Sequence, residues 1–304
     1  FMRCGNRSDN GWEAGGCDLY FSYTENAGWT QPVPFGATIN TPAFEGMPSL
    51  SSDNRELFFV SDREGGIGGK DIWVSRFQDG LWQIPENLGP EINTPFDETA
   101  PFIASDNETL YFTSDGHPGM GGNDIFYSKR TNGKWQRPEN MGYPFNTAFE
   151  EVSACISPDG TKAYLASDRD GGYGNMDLYE VKIPEVARPQ PYTYVFGVSY
   201  DSLDKKRLTY AQIEWNDVIT GERLDRYQSN RGDATYMASV KLDRKYALHV
   251  YRVGYADYDD TITFTASHIL VPDTLNFPLL DFSYSPPLAD TLLGRFHFVK
   301  NNVL

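Results

Sequence analysis

The sequence predicts an all-β protein in which a β-propeller of four-stranded blades is followed by a β-sandwich. Three observations support this class. The 304 residues include 28 Gly, 19 Pro, 19 Tyr and 19 Phe, a mixture typical of short strands joined by turns. The first part of the chain, residues 1–183, repeats with a period of 53 residues. After a proline-rich stretch, residues 192–282 read as short alternating strands separated by turns such as ITGE.

The 53-residue repeat keeps its register without a gap from Asp18 to Asp177. Six positions of the repeat carry the same residue in successive units: Asp18, Asp71, Asp124 and Asp177; Trp29, Trp82 and Trp135; Pro32, Pro85 and Pro138; Asn40, Asn93 and Asn146; Glu45, Glu98 and Glu151; Asp62, Asp115 and Asp168. Chance does not produce such agreement, and we therefore assign residues 1–183 to one propeller that is incomplete at its N-terminal side.

One unit of the repeat reads as a propeller blade. In the middle copy, NTPFDETAPFIASDN holds a first strand and a turn, ETLYFTSD a second strand, and DIFYSKR a third strand. The Gly-rich GHPGMGGN joins the second and third strands, and KWQRPENMG is a short fourth strand whose proline belongs on a sheet edge. The second strand is apolar at consecutive positions, as in LFFV at 57–60, which predicts burial on both faces between neighbouring blades.

The net charge of −16 is concentrated in the repeat. Residues 1–183 carry 13 Lys and Arg against 27 Asp and Glu, a net charge of −14, whereas the remainder carries only −2. An acidic propeller is repelled by nucleic acid and by anionic lipid, so we expect no nucleic acid as a partner. Cations, basic proteins and neutral ligands stay open.

The three cysteines bear on the cellular compartment. Cys4 and Cys17 bracket a Gly-rich loop just before a strand, and Cys155 lies within the strand-like VSACIS. We favour a Cys4–Cys17 disulfide across a hairpin, which implies an oxidising, extracytoplasmic compartment, while three free thiols remain the alternative. The chain starts inside a strand-like run, and we expect it to be a fragment with its N-terminus upstream of Phe1.

The repeated glutamates are the candidate binding residues. Glu45, Glu98 and Glu151 precede the first strand of each visible blade and are predicted to ring one mouth of the channel. Because a catalytic acid and base need different environments, symmetric copies favour a structural role over a ligand or cation ring, and both over catalysis. The repeated tryptophans are likewise expected to pack between blades rather than to stack on sugars.

The repeated aspartates flank the Gly-rich loop, which reads SDREGGIGGKDIW in one copy. Six positions are involved: Asp62, Asp71, Asp115, Asp124, Asp168 and Asp177. Short carboxylates at the ends of such a loop accept backbone N–H groups, so we expect a structural role, with calcium binding as the alternative. The sequence has no Cys/His cluster typical of zinc, no G-x-S-x-G and no Walker or Rossmann pattern. We therefore predict no metal, no cofactor and no enzymatic activity.

The phrases SDNETLYFTSDGHPGMGGNDIFYS and SPDGTKAYLASDRDGGYGNMDLYEV closely resemble the PD40 repeat, the TolB-type WD40-like propeller unit. Residues 184–191, PEVARPQP, read as a linker. The following FGVSYDSLDKKRL, IEWNDVITGERL and KYALHVYRVGYADY resemble the transthyretin-like, carboxypeptidase-regulatory-like domain, which implies a β-sandwich spacer or binding module over residues 192–282. LLGRFHFVKNNVL, within 283–304, resembles the entry to an OmpA-like domain that is itself absent.

This domain order resembles the PorE-type multidomain OmpA-family lipoproteins of the outer membrane, which belong to the type IX secretion system. The resemblance implies a non-catalytic scaffold in the periplasm, associated with the outer membrane and anchored to peptidoglycan through the absent OmpA-like domain. Its propeller would bind a protein component of the secretion complex, such as a PorP-like barrel. The alternative is a propeller that binds or cleaves glycans with channel carboxylates.

Overall fold

The computed structural model describes residues 2–4, 16–22, 24–25, 28–78, 80–157, 159–221, 223–230, 232–265 and 273–281. The regular elements in these ranges are β-strands, apart from one 3₁₀ turn at Glu185–Ala187, which confirms the all-β class. The described residues include no helix that is long and apolar enough to cross a membrane. The predicted segment 283–304 lies outside these ranges.

The first blade is a sheet with the strand order β1-β2-β5. Its strands are β1 (Met2–Cys4), β2 (Cys17–Phe21) and β5 (Val33–Pro34), and β3 (Thr24–Glu25) forms a separate pair with β4 (Gly28–Trp29). In the register of the repeat, β2 corresponds to the third strand of the later blades. β1 covers only the first three residues of β2, from Cys17 to Leu19.

The next three blades are antiparallel sheets whose strands follow one another in space as in sequence. The second blade contains β6 (Glu45–Leu50), β7 (Glu56–Ser61), β8 (Asp71–Gln78), β9 (Leu81–Trp82) and β10 (Glu86–Asn87). The third contains β11 (Glu98–Ile103), β12 (Thr109–Ser114), β13 (Asp124–Thr131), β14 (Lys134–Trp135) and β15 (Glu139–Asn140). The fourth contains β16 (Glu151–Ile156), β17 (Lys162–Ser167) and β18 (Asp177–Lys182).

The outer edge of the second and third blades differs from the predicted single fourth strand. In the third blade, β14 pairs with the end of β13 at Arg130 and Thr131, and β15 pairs further back at Phe126 and Tyr127. Pro138 lies between the two pieces and has no N–H to donate to the ladder. The proline therefore splits the edge strand into two pairs of residues.

Neighbouring blades pack face to face through apolar side chains of their second and third strands. Within β7, Phe58 belongs to the core shared with the third blade, whereas Phe59 belongs to the core shared with the first blade. Both rings are fully buried. The consecutive apolar residues of the second strand thus serve two faces, as the sequence predicts.

The C-terminal part consists of two sheets that face each other. One has the order β22-β19-β27-β24, with β26 beside β19, and the other has the order β21-β20-β23-β25. The strands are β19 (Tyr192–Asp201), β20 (Gln212–Asp217), β21 (Arg223–Gln228), β22 (Thr235–Lys241), β23 (Arg244–Tyr251), β24 (Tyr255–Ala256), β25 (Tyr258–Phe264), β26 (Asp273–Thr274) and β27 (Phe277–Asp281). Their alternating residues enclose one core around Trp215, Tyr246 and Phe277.

The segment 184–191 is packed against the third and fourth blades instead of crossing open solvent. Ala187 is buried in the core between the third and fourth blades, and its carbonyl accepts a hydrogen bond from the Tyr111 hydroxyl. The Gln190 N–H donates to the Asp106 carboxylate at 2.9 Å. Lys241 of the C-terminal part pairs with Glu108 of the third blade at 2.7 Å. These bonds fix where the C-terminal sheets sit on the blades.

Candidate functional site

The repeated glutamates lie at the start of the first strand of the second, third and fourth blades and are completely buried. In the third blade, the two carboxylate oxygens of Glu98 accept the Thr94 N–H at 2.6 Å and the Thr94 and Ser114 hydroxyls at 2.7 Å. Glu45 and Glu151 have the equivalent Thr and Ser partners in their own blades. Each glutamate thereby joins the loop before the first strand to the end of the second strand.

The three glutamate pockets differ in their cation. Arg63 contacts Glu45 and Arg169 contacts Glu151, each at 3.0 Å, but the equivalent position of the third blade is Gly116. Each arginine also donates to a backbone carbonyl, that of Ile39 or Phe145, at 2.6 Å. In the third blade, His117 Nε2 takes over this second bond and donates to Ile92 O at 2.8 Å.

Burial raises the pKa of Glu98 above its ordinary value of 4.5, although the bonds from Thr94 and Ser114 oppose the shift. The pKa of Glu45 is also raised by burial, against the opposing effects of Thr41 and Arg63. Burial has the opposite effect on Arg63 and lowers its pKa, because it disfavours the charged guanidinium. The pairing with Glu45 partly offsets this shift.

The carboxylates of Glu45, Glu98 and Glu151, which the sequence predicts to ring a channel mouth, are enclosed within their own blades in this structure. The exposed fraction of each is 0 %, and the hydrogen-bond donors around them come from their own blades. A ligand would have to displace these donors to reach the oxygens. The arrangement therefore favours the structural role among the three that the sequence left open.

The aspartates at the end of the Gly-rich loop also bind backbone N–H groups. Asp71 accepts the N–H of Ile67 at 2.6 Å, and Asp177 accepts those of Tyr173 and Gly174 at 2.8 and 3.0 Å. Asp124 accepts the N–H of Met120 and Gly121 in the same way. In each case backbone N–H groups of the loop bind the carboxylate, so these aspartates stabilise the conformation of the loop.

The aspartates at the beginning of the loop have a different partner from the expected one. Asp62, Asp115 and Asp168 accept the N–H of the residue just before the first strand of the same blade, namely Phe44, Asp97 or Glu150, at 2.8 to 2.9 Å. They close the blade between its first and second strands instead of stabilising the loop itself. In the described ranges, no group of three or more His, Cys, Asp and Glu side chains is placed to hold a metal ion.

The Gly-rich loops run along the seams between blades. Lys70 N–H donates to the Asp97 carboxylate at 2.9 Å, and Lys70 O accepts the Glu98 N–H at 2.8 Å. A Cβ on Gly68 would lie 2.1 Å from Phe96 O, so this position requires glycine because of a close approach. Gly121 makes the same approach to Phe149 O in the next seam.

The repeated asparagines form hydrogen bonds between neighbouring blades. The repeat shows that these positions are equivalent, but the sequence does not predict this role. The side chain of Asn93 accepts the N–H of Ile72 at 2.9 Å and donates to the Ile72 carbonyl at 3.0 Å. Asn40 makes the same two bonds to Leu19, and Asn146 makes them to Ile125. Each asparagine therefore ties its own blade to the third strand of the preceding blade.

Two of the repeated tryptophans pack between neighbouring blades. Trp82 packs on Phe35 of the first blade and Trp135 on Phe58 of the second, with ring centroids 5.8 and 6.0 Å apart. Trp29, in contrast, is 75 % exposed and borders an apolar groove of about 700 Å³.

Cys4 and Cys17 form a disulfide, and Cys155 is a free, exposed thiol.

A polar cleft of about 750 Å³ separates the second and third blades from the C-terminal sheets. Three basic side chains that line it are paired with glutamates: Arg130 with Glu56 at 2.8 Å, Arg76 with Glu86 at 2.5 Å, and Lys241 with Glu108 at 2.7 Å. The cleft could not be predicted from the sequence, because it depends on how two separate parts of the chain are placed.

No family model matches the chain, and no curated protein matches it. Among solved structures, similarity was found to TolB from Acinetobacter baumannii, with 15 % identity, a TM-score of 0.38, and coverage of 83 % of this chain and 50 % of that one. A puromycin-hydrolyzing peptidase of Mycobacterium tuberculosis has 12 % identity, a TM-score of 0.38, and coverage of 83 % and 44 %. The periplasmic gluconolactonase PpgL of Pseudomonas aeruginosa has 12 % identity, a TM-score of 0.33, and coverage of 86 % and 82 %.

The chain thus spans about half the length of the TolB and peptidase structures. Likenesses at TM-scores below 0.5 do not assign a family or an activity to this protein.

Proposed function

We propose that this protein is a non-catalytic interaction scaffold of the extracytoplasmic bacterial envelope. The main support is the burial of the repeated glutamates, which are the strongest candidates for catalytic groups in the sequence. Each is fully buried and bonded to a Thr and a Ser of its own blade. A carboxylate in that state stabilises the blade and is shielded from substrate.

Two further features support a scaffold outside the cytoplasm. The Cys4–Cys17 disulfide is typical of an oxidising compartment. Arg76, Arg130 and Lys241 in the large cleft are each paired with a glutamate, so these three cations are not free to bind an anionic substrate.

The finer proposal follows the motif resemblances. The four-stranded blades would be PD40-type units, and residues 192–282 a carboxypeptidase-regulatory-like sandwich. In this proposal the protein is a PorE-type component of type IX secretion at the outer membrane. An OmpA-like domain absent from this chain would bind peptidoglycan, and the propeller would bind a PorP-like barrel. Because a fold alone does not determine function, this role has to be tested by measuring binding to the barrel directly.

The test is a binding titration of the full chain against a purified PorP-like barrel in detergent micelles, with an unrelated outer-membrane barrel as the control. Saturable binding to the first barrel alone is expected. Absence of that binding would contradict the type IX assignment. The broader scaffold proposal would be overturned by hydrolysis of a saccharide by the wild-type chain that is lost in a folded Glu98→Gln variant.

A further inference from the structure

The polar cleft between the blades and the C-terminal sheets has the size of a ligand site. Its volume is about 750 Å³. Binding sites for small molecules commonly enclose about 300–1,000 Å³ and often lie between two parts of a protein. The propeller residues that line the cleft come from the second and third blades, and the other lining residues come from β20, β21, β22 and β23. The cleft is therefore formed without the outer faces of the first and fourth blades.

The charges in the wall of the cleft balance one another. Four basic and four acidic side chains line it, so their formal charges sum to zero: Arg55, Arg76, Arg130 and Lys241 against Asp53, Glu56, Asp106 and Glu108. The segment 1–183, in contrast, carries 13 Lys and Arg against 27 Asp and Glu. A balanced wall on an acidic propeller attracts neither anions nor cations over a distance, which favours an uncharged ligand.

Hydrogen bonds hold several of these charged groups in position. The Glu56 carboxylate binds Arg76 of its own blade at 3.4 Å and Arg130 of the next blade at 2.8 Å. Asp106 accepts the Glu108 N–H at 2.9 Å. Because these side chains are already ordered, a ligand that binds them loses little free energy to ordering the site.

An exposed aromatic ring borders this polar wall. Phe77, near the end of β8, lines the cleft and is 38 % exposed. Trp82 packs against it, with ring centroids 5.3 Å apart, and so limits its movement. The ring offers an apolar plate against which the C–H groups on one face of a sugar ring can pack.

The buried part of the wall contains a donor without a partner. Trp215 lines the cleft and is 1 % exposed, and its indole N–H has no hydrogen-bond acceptor among the described residues. A buried N–H without an acceptor destabilises the protein. A ligand that brings an oxygen to this N–H would gain a hydrogen bond that the protein alone lacks.

We propose that the cleft is a binding site for a neutral oligosaccharide. Each sugar hydroxyl both donates and accepts hydrogen bonds, which matches a wall in which carboxylates and guanidinium groups lie side by side. One sugar ring would pack on Phe77, and a ligand oxygen would accept the hydrogen bond of Trp215. An anionic ligand would have to compete with glutamates for the cations, and an apolar ligand would leave the charged pairs without water. The site lies apart from the buried Glu98, and it does not depend on the proposed scaffold role.

Isothermal titration calorimetry of the full chain tests the proposal with three neutral probes, namely cellohexaose, maltohexaose and chitohexaose. We expect saturable binding of at least one probe with a dissociation constant below about 1 mM. Phe77→Ala should weaken this binding at least about tenfold, because it removes the apolar surface beneath one sugar ring. Phe96→Ala, at an exposed phenylalanine outside the cleft, is the matched control and should leave the affinity unchanged.

The indole N–H signals in nitrogen-15 NMR spectra of the labelled protein locate the bound probe. The signal of Trp215, identified by its absence in Trp215→Phe, should shift when the probe is bound. The signal of Trp73, identified in the same way, should stay in place, since its N–H already donates to Ser61 O at 3.2 Å. An unchanged Trp215 signal at saturation would contradict the proposed site.

Three other results would also overturn the proposal. They are the absence of saturable binding by all three probes, equal affinity of Phe77→Ala and wild type, and tighter binding of oligogalacturonate or of the peptide Ser-Gly-Ser-Gly-Ser-Gly. Glu98→Gln should bind the probe as wild type does, and loss of binding in a folded Glu98→Gln variant would place the saccharide at the buried glutamates instead. The barrel titration decides the scaffold role separately, so failure of one proposal leaves the other testable.

Discussion

The third and fourth blades share one repeat, one loop and one buried glutamate, yet only the third blade is enclosed on both faces. Ile125 is fully buried beneath the fourth blade, while Leu178, the same position one unit later, is largely in contact with water. The two blades also differ in their glutamate pockets, because Glu151 has Arg169 and Glu98 has no arginine. The comparison shows that the 53-residue pattern determines the strands of a blade. The free energy that a repeated residue contributes to folding depends on whether an adjacent blade covers it.

The largest expected difference concerns the equivalent aliphatic residues. Ile125→Ala should lower the free energy of unfolding by about 4 kcal/mol, because it removes buried methyl groups and leaves a cavity. Leu178→Ala should change it by less than about 0.5 kcal/mol, as for other surface substitutions. Urea unfolding followed by tryptophan fluorescence measures both. Equal losses in the two variants would show that the face bearing Leu178 is covered in solution.

The glutamate pockets give the next comparison. Glu151→Gln should cost about 3 kcal/mol, since it leaves the Arg169 guanidinium buried without its counterion. Glu98→Gln should cost only about 1 kcal/mol, because it strands no arginine and keeps most of the hydrogen-bonding atoms. Adding Arg169→Met to Glu151→Gln should recover part of the loss. A larger loss for Glu98→Gln than for Glu151→Gln in urea unfolding would contradict the assigned role of the arginine.

The glycines of the loop test the seam itself. Gly121→Ala should destabilise by about 2 kcal/mol, since its Cβ would collide with Phe149 O and must push the seam apart. Gly174→Ala is the matched control at the same repeat position, where the nearest atom is 3.9 Å away, and it should be nearly neutral. Thermal unfolding of the two variants side by side measures the difference, and similar melting temperatures would refute the close-approach explanation.

The smallest effect is a pH dependence of the third blade. The pKa of Glu98 is raised above 4.5 in the folded state, so the folded protein holds this proton more tightly than the unfolded chain does. The associated stabilisation is fully present below about pH 4.5 and is lost as the pH rises through the raised pKa. The stability of wild type relative to Glu98→Gln should therefore fall between pH 4 and pH 7. A difference that stays constant or grows over that range in urea titrations would exclude the raised pKa.

Individual residues show which features the sequence predicted and which it did not. The period of 53 residues predicted the blades and marked Asn93, Glu98 and Asp124 as special, because a repeated tertiary environment selects the same residue each time. The pattern did not show that Asn93 bonds across a seam or that Glu98 is buried. Both properties depend on which neighbour lies against the residue, and a single strand's sequence does not contain that information.

The sequence by itself determined the all-β class, the unit of the repeat and the polar groups that each unit uses, since these follow from local periodicity and turn chemistry. Only the tertiary structure decided that Pro138 splits the edge strand, that Gly121 is required by an approaching carbonyl, and that Leu178 faces water. The first two outcomes arise from contacts between separate strands, and the third arises because no described residue covers Leu178. The same sequence motif therefore lies in a buried core in the third blade and on an open face in the fourth.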